Sequence, residues 1–392
     1  MLSDQSPIRY GVISAGRMAG TTMLSIMAGH PAARPVAWYE LEPQRPDTAR
    51  RIEQLAAAGL ARCHSLDELL ARDDVDVILN STPHYAHAET SIAALRAGHH
   101  VVCEKPPACC PDECQAMAAA AGQANRLLMI HFQHLLKPSA RWLGRVLRSG
   151  RLGAIRRVRG VSLWWRNDDY YARAVWAGKR SFQGRPTLDG TLVNQTIHYL
   201  NQMLALAHRG DEQAVSGPAN VRAALYRFHQ TPELEMEDTA VLAGKLDNPD
   251  ATEFVFAGTT CAAESGGPNR LAEYTGSTES HAIEMECEHG RAVWDGKARV
   301  EIPGREPEVF DEPEGPWPFL FHVREVLAGR EQPVTPIDQA CNTMRVIDAA
   351  YAAAGEIQPR DWGHHEQVAD VLRRCAGRFA LPAELPDPPT WA

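Results

Sequence analysis

Several short stretches of the 392-residue chain carry residue types and spacings that suit chemistry. In Glu104-Lys105-Pro106-Pro107 a lysine follows an acid at the end of an apolar run, and two prolines fix the backbone that aims it. Such a lysine has two readings. It forms an ion pair with Glu104, or in a dry cleft it donates to a carbonyl or alkoxide oxygen and shuttles protons with a shifted pKa. Upstream, Asn80-Ser81-Thr82-Pro83-His84-Tyr85-Ala86-His87 follows another apolar run, and Thr82-Pro83 imposes an extended turn. His84-x-x-His87 has the spacing of a ligand pair, but no third ligand lies within sequence reach, so no metal is expected there.

Ser14-Ala15-Gly16-Arg17-Met18-Ala19 reads as a dinucleotide turn of the G-x-G-x-x-G/A kind with its first glycine replaced by Ser14. Gly16 allows close backbone approach to a pyrophosphate, and Ala19 allows tight helix–strand packing. Serine tolerates a positive φ less well than glycine. Glu40 stands where an acid accepts hydrogen bonds from an adenosine ribose and repels a 2′-phosphate. NAD is therefore expected, with Arg17 and Arg45 keeping NADP open. Ser81, Thr82, Pro83, His84, His87 and Glu104 join Ser14, Gly16, Arg17, Met18 and Glu40 as expected cofactor contacts.

Further along, Asn194, His198 and Asn201 recur at helical spacing within an otherwise apolar stretch of Leu192, Val193, Ile197, Leu200, Met203 and Leu204. The stretch 188–207 contains a helix that places these polar groups on one face, aimed at a ligand in preference to a plain surface face or a satisfied core histidine. Before it lies a loop rich in aromatic and charged residues. Trp165, Tyr171 and Trp176 there can stack on sugar faces, and Arg166, Lys179 and Arg180 can meet an anion. Cys109, Cys110 and Cys114 crowd a helix start, as a reactive thiol or as small packing residues.

The elements that must position these groups alternate over the first 135 residues. Apolar runs at 8–13, 35–39, 75–79, 101–103 and 127–132 are separated by helical stretches, the pattern of βαβ units around a parallel sheet buried on both faces. Such sheets bind ligands beyond the carboxyl ends of their strands, where the Ser14, Ser81 and Glu104 loops lie. After Pro138 short strands recur between turns, from Arg156 to Ile302, which predicts a large, mostly antiparallel open sheet. The division is therefore 1–135 and 136–392. Two helices, near 318–328 and 336–354, and a proline-rich tail complete the second part. Forty Lys and Arg against 49 Asp and Glu give a net charge of −9, a poor match for nucleic acid. No apolar run reaches a membrane span, no leader is visible, and nine cysteines without C-x-x-C read as reduced thiols in the cytoplasm.

These residues resemble the Gfo/Idh/MocA family of NAD(P)-dependent oxidoreductases over nearly the whole chain. The family's A-G-K-H-V-x-x-E-K-P is similar to 97–106. Its T-P-N-x-x-H resembles 82–87, with His84 for Asn. Its G-G-x-L-x-D-x-G-x-H-x-x-D resembles 189–201, with Asn194 and Asn201 for the acids. Glu237-Asp238-Thr239 looks like its E-D-T. The resemblance implies a Rossmann domain, an open-sheet domain with the site in the cleft between them, and a homodimer or homotetramer. It implies hydride transfer between a nicotinamide and a secondary alcohol or ketone of a sugar, sugar derivative or cyclitol. In that chemistry Lys105 stabilises the reacting oxygen and His198 exchanges its proton, with Gln133, Arg166, Tyr171, Trp176 and Asn194 at the substrate. An amide at 194 cannot raise the histidine pKa as a carboxylate does. An NAD-dependent glycosidase with retained cofactor and a non-catalytic dinucleotide sensor are the alternatives.

Overall fold

The computed structural model describes residues 6–14, 16, 24–41, 53, 55, 59–209, 217–261, 280–311, 313 and 318–359. Arg17, Met18, Ala19 and Arg45, the strand expected near 270–274 and the proline-rich tail lie outside the described residues. By packing, the chain divides into two compact units, Met1–Gln133 with Gly315–Cys341, and His134–Glu314 with Asn342–Ala392. No described helix is long and apolar enough to cross a membrane.

The first unit is built on six parallel strands: β1 (Ile8–Ile13), β2 (Ala33–Tyr39), β3 (Ala61–Arg62), β4 (Val77–Asn80), β5 (His100–Cys103) and β6 (Leu128–Ile130), in the order β3-β2-β1-β4-β5-β6. The order turns about β1 and β4, so the carboxyl ends of these two strands flank a topological switch point. Helices α1 (Leu24–Gly29), α2 (Leu66–Leu70), α3 (His87–Arg96) and α4 (Pro111–Ala124) lie between strands in the sequence. Ser65 caps α2 by accepting the Glu68 backbone N–H, as its S-x-x-E spacing predicts. Proline opens α4 and Asn125, at φ 48°, closes it in the left-handed region.

The division at residue 135 misses one feature. Residues 315–341 return to the first unit because edge strand β6 needs backbone partners. Ile130 N–H donates to the Thr335 carbonyl, Met129 bridges to Pro336, and His131 meets the Phe319 ring edge-on at 4.4 Å.

The second unit carries a nine-stranded sheet. Its strands are β7 (Ile155–Leu163), β10 (Pro218–Arg227), β11 (Thr239–Leu246), β12 (Glu253–Thr259), β13 (Ser280–Cys287), β14 (Gly290–Trp294), β15 (Ala298–Glu301), β16 (Glu308–Phe310) and β17 (Gln358–Pro359). Strands β8 (Ser181–Phe182) and β9 (Arg185–Pro186) form a separate hairpin. The large sheet runs β16-β15-β14-β13-β7-β12-β11-β10-β17, antiparallel except at β7–β12 and β10–β17. The helices of this unit are α5 (Pro138–Arg148), α6 (Asp168–Tyr171), α7 (Ile197–Ala207) and most of α9 (Ile337–Ala354); α8 (Pro318–Leu327) belongs to the first. Helix α7 packs closely on β7. A Cβ at Gly160 would lie 3.0 Å from Met203 Sδ and 2.8 Å from Phe256, so glycine sets that approach.

Candidate functional site

The first turn explains its own departure from glycine. Ser14 ends β1 at φ 71°, in the region where an L side chain is strained. Its Oγ donates to Glu40 Oε1 at 2.9 Å, and its backbone N–H donates to the Tyr39 carbonyl. The serine thus keeps the turn and fixes the buried acid at the end of β2. Gly16 has open space: among the described residues, an added Cβ would meet only the Ser81 carbonyl, at 3.8 Å.

One side chain organises the second loop and another ties it to the third. Asn80, fully buried at the end of β4, reaches the His87 carbonyl, Thr90 Oγ1 and Ser91 Oγ through its amide nitrogen. Its Oδ1 accepts the Thr82 hydroxyl and backbone N–H, and the Ser81 N–H donates to the Ile13 carbonyl. This hub escaped the motif reading. Its signal was a lone amide closing an apolar strand. Pro83 leads into a single helical turn, His84–Ala86, in which His84 is buried with its ring 5.8 Å from that of His87.

His87 is enclosed. Its Nδ1 lies 2.6 Å from the Pro106 carbonyl and its Nε2 lies 2.8 Å from the Thr82 carbonyl. Both partners only accept, so the ring satisfies both only when charged. Burial opposes that charge and pulls the pKa below the usual histidine value despite the two carbonyls. His87 is therefore a clasp between the Thr82 and Lys105–Pro106 segments.

Glu104 is buried with its carboxylate held by His131 Nδ1 at 2.8 Å. Burial by itself raises the Glu104 pKa, but His131, with Lys105 and His87 behind it, holds it below the ordinary range. The neighbouring Lys105 is only half-buried. Gln133, also half-buried, has a buried Oε1 without a hydrogen-bond partner among the described residues.

In the second unit the helix expected within 188–207 is present but starts too late to include Asn194. Residues 190–196 form consecutive turns and α7 begins at Ile197, so Asn194 does not share a helical face with His198. The cause is a distant carboxylate. Glu237 is fully buried beneath this segment, where its Oε1 accepts the Leu192 N–H and both its oxygens accept from the Tyr351 hydroxyl. Burial pushes its pKa up to about 7. A Cβ on Gly190 would stand 2.3 to 2.5 Å from that carboxylate, which leaves room only for glycine.

Asn194 donates from Nδ2 to Asp189 Oδ1 at 2.6 Å and to the Tyr170 hydroxyl at 3.2 Å. Asp189 in turn pairs with Arg173, whose guanidinium lies over the rings of Tyr170 and Trp176 at 4.0 and 5.2 Å. Arg173 was not singled out from sequence; with Tyr170 and Asp189 it surrounds Asn194 and Trp176, which were. His198 is half-buried and stacks on His134, ring centroids 4.8 Å apart.

Two expected ligand contacts turn inward. Asn201 is fully buried and donates to Thr343 Oγ1. Tyr171 is 2% exposed, packs with Leu234 and Met236, and hydrogen-bonds Thr260, so its ring faces are closed to a sugar. Arg166 lies over Trp164 and Tyr170, and Lys179 pairs with Glu235. Cys109 and Cys114 are buried and Cys110 partly so, and among the described residues no disulfide joins the eight described cysteines.

Comparison with known proteins places this scaffold. Residues 8–132 match the Gfo/Idh/MocA model, described as an oxidoreductase family with an NAD-binding Rossmann fold. That match lies within the first unit. Levoglucosan dehydrogenase of Pseudarthrobacter phenanthrenivorans is 32% identical over 189 residues, 46% of this chain and 47% of that protein. The dTDP-3,4-didehydro-2,6-dideoxy-alpha-D-glucose 3-reductase of Actinomadura kijaniata is 32% identical over 154 residues, 39% of this chain and 45% of its own. The chain thus matches about half the length of these curated relatives. The fold likeness is longer. The WlbA dehydrogenase of Bordetella pertussis, solved with NADH and UDP-GlcNAcA, superimposes with a TM-score of 0.68 at 22% identity, covering 89% of this chain and 97% of that one. Both units therefore share the fold of that dehydrogenase.

Proposed function

We propose that this chain is an NAD-dependent dehydrogenase or ketoreductase acting on a secondary alcohol or ketone of a sugar, sugar derivative or cyclitol. The observation that carries the reading is Glu40, a buried acid fixed by Ser14 beside the turn of a Rossmann sheet. An acid at that point accepts from a ribose diol and repels a 2′-phosphate, which favours NAD over NADP. Gly16 supports the same reading, because no described part of the chain itself needs a glycine there. NAD, when bound, supplies the hydride acceptor or donor at the nicotinamide ring.

The rest falls to the chain's own side chains. Lys105, aimed by the prolines after it and by the His87 clasp, donates to the reacting oxygen and stabilises alkoxide charge. His198 takes that oxygen's proton in oxidation and returns it in reduction, a task suited to an imidazole. Trp176 offers a ring face to a sugar, and Asn194 and Gln133 offer polar atoms to its hydroxyls. Relatives named for levoglucosan, a dTDP-sugar and inositol support a polyhydroxylated ring as the substrate class. A homodimer or homotetramer completes the reading, and light scattering after gel filtration tests it.

The deciding experiment uses purified protein, NAD and a panel of sugars and cyclitols, with NADH followed by absorbance. Turnover should fall at least a hundredfold in Lys105→Met and in His198→Asn while NAD affinity is retained. Full turnover in both variants with NAD bound defeats the assignment.

A further inference from the structure

Three side chains of the second unit converge although no motif joins them in sequence. His229 follows β10, Asp238 precedes β11 and Cys261 follows β12. An imidazole nitrogen, a carboxylate oxygen and a thiol sulfur from these residues all lie within 4.8 Å of one another. The residues are buried, at 4%, 0% and 0% exposure.

The hydrogen bonds around them define what the cluster needs. Asp238 Oδ2 accepts the backbone N–H groups of Phe228 and His229, both at 2.8 Å, so the carboxylate is held in place. His229 Nε2 lies 2.9 Å from the Arg166 carbonyl, which only accepts, so Nε2 carries a proton. That leaves Nδ1 facing Asp238 Oδ2 at 2.9 Å and Cys261 Sγ at 3.6 Å. A nitrogen lone pair and a carboxylate oxygen cannot face each other so closely without a positive centre between them. A proton on Nδ1 answers for Oδ2 alone. It leaves Asp238 Oδ1 buried without a partner among the described residues. A divalent cation answers for all three groups. A histidine whose far N–H is anchored on a backbone carbonyl is also the arrangement that orients a metal ligand.

We propose that His229 Nδ1, the Asp238 carboxylate and Cys261 Sγ form a zinc site. The mixed nitrogen, oxygen and sulfur donor set suits that ion. Tetrahedral zinc with bonds of about 2.0 Å to N and O and about 2.3 Å to S sets N and S about 3.5 Å apart and N and O about 3.3 Å apart. The observed 3.6 Å fits the first, and the observed 2.9 Å opens by a few tenths of an ångström to meet the second. The two oxygens of one carboxylate lie too close together to fill two tetrahedral positions, so a water completes the coordination and donates to the second Asp238 oxygen. On binding, the Cys261 thiol gives its proton to solvent as the zinc–sulfur bond forms, with no change of oxidation state. With every donor buried the ion is structural. It ties the ends of three neighbouring strands to Arg166, at the start of the loop that holds Tyr170 and Arg173.

The test uses untagged, full-length protein purified without chelator. Elemental analysis should find about one zinc per chain, and exchange into cobalt should give a thiolate-to-cobalt charge-transfer band that Cys261→Ser abolishes. His229→Gln should lower metal content at least tenfold while circular dichroism stays native. If either variant fails to fold, the zinc content and cobalt band of the unmodified protein still decide. Folded protein that carries no zinc and shows no thiolate–cobalt band with excess cobalt overturns the proposal, as does full zinc content in both folded variants. None of these readings uses turnover, so they stand apart from the proposed oxidoreductase activity.

Discussion

Ser14 makes a quantitative prediction, because two substitutions there separate two energies. The serine sits at φ 71° and donates to a buried carboxylate at 2.9 Å. The left-handed conformation costs a non-glycine residue about 1–2 kcal/mol. A hydrogen bond to a charged group contributes about 1.5–3 kcal/mol. Ser14→Ala keeps the strain and loses the bond, and should destabilise the first unit by about 2 kcal/mol. Ser14→Gly loses the same bond but relieves the strain, less about 0.5–1 kcal/mol for the freer unfolded chain. The glycine variant should therefore sit between wild type and alanine, about 0.5–1 kcal/mol above alanine. Urea unfolding, with hydrogen exchange on peptides from β1 and β2 reporting the first unit, gives the stabilities. Calorimetry with NAD gives the second readout. Both variants should bind more weakly, because Glu40 loses the donor that orients it. The reasoning is refuted if Ser14→Ala matches wild type, or if it is more stable than Ser14→Gly.

Other expectations can be checked alongside. Gly190→Ala should lose at least about 3 kcal/mol in urea unfolding, since its Cβ would stand 2.3 to 2.5 Å from Glu237 and displace a buried, doubly anchored carboxyl. Glu237 itself, raised from 4.5 to about 7 in the folded state, binds more protons there than in the unfolded chain. It should cost roughly 3 kcal/mol as pH rises through that window, and Glu237→Gln should flatten this part of the stability–pH curve. Glu104 has the opposite sign. Its depressed pKa stabilises the fold above the usual carboxylate value, and that contribution is lost as pH falls through the folded value. His131→Ala strands the carboxylate, should cost about 3–5 kcal/mol near neutrality, and should shift the acid-unfolding midpoint upward. His87→Ala should lower kcat more than it changes NAD affinity, because it releases the clasp on the Lys105–Pro106 segment.

The parallel sheet was legible because its signals are local. Strand length, continuous apolar runs, the Ser65 cap and the glycine after α3 each lie within a few residues of the element they define. The Ser14 departure was also legible, although its compensation by Glu40 was not, because that bond spans 26 residues. The placing of Asn194 on the helix within 188–207 failed for the same reason. The apolar spacing of that stretch is helical throughout, but Glu237, 45 residues beyond Leu192, takes a backbone N–H from the first part and holds it in turns. Tyr171 and Trp176 have the same sequence signature, an aromatic in a charged loop. Only packing against Leu234 and Met236 shows that the first is core. Asn201 likewise keeps the polar spacing of a ligand face while Thr343, on a helix 142 residues away, receives it. The His229, Asp238 and Cys261 cluster comes from three strand ends and has no spacing to recognise.

The return of residues 315–341 to the first unit bears on how the protein is made. Edge strand β6 takes its backbone partner from Thr335, and His131 packs on Phe319. A ribosome that has released residue 133 has therefore not supplied everything the first unit needs. Domains commonly fold in order as they emerge, but here the earlier one stays open along one edge until the whole of the later sheet up to β16 has been synthesised. Chaperone demand during translation, and the choice of end points for any truncated version, follow from that thread rather than from the boundary near residue 133.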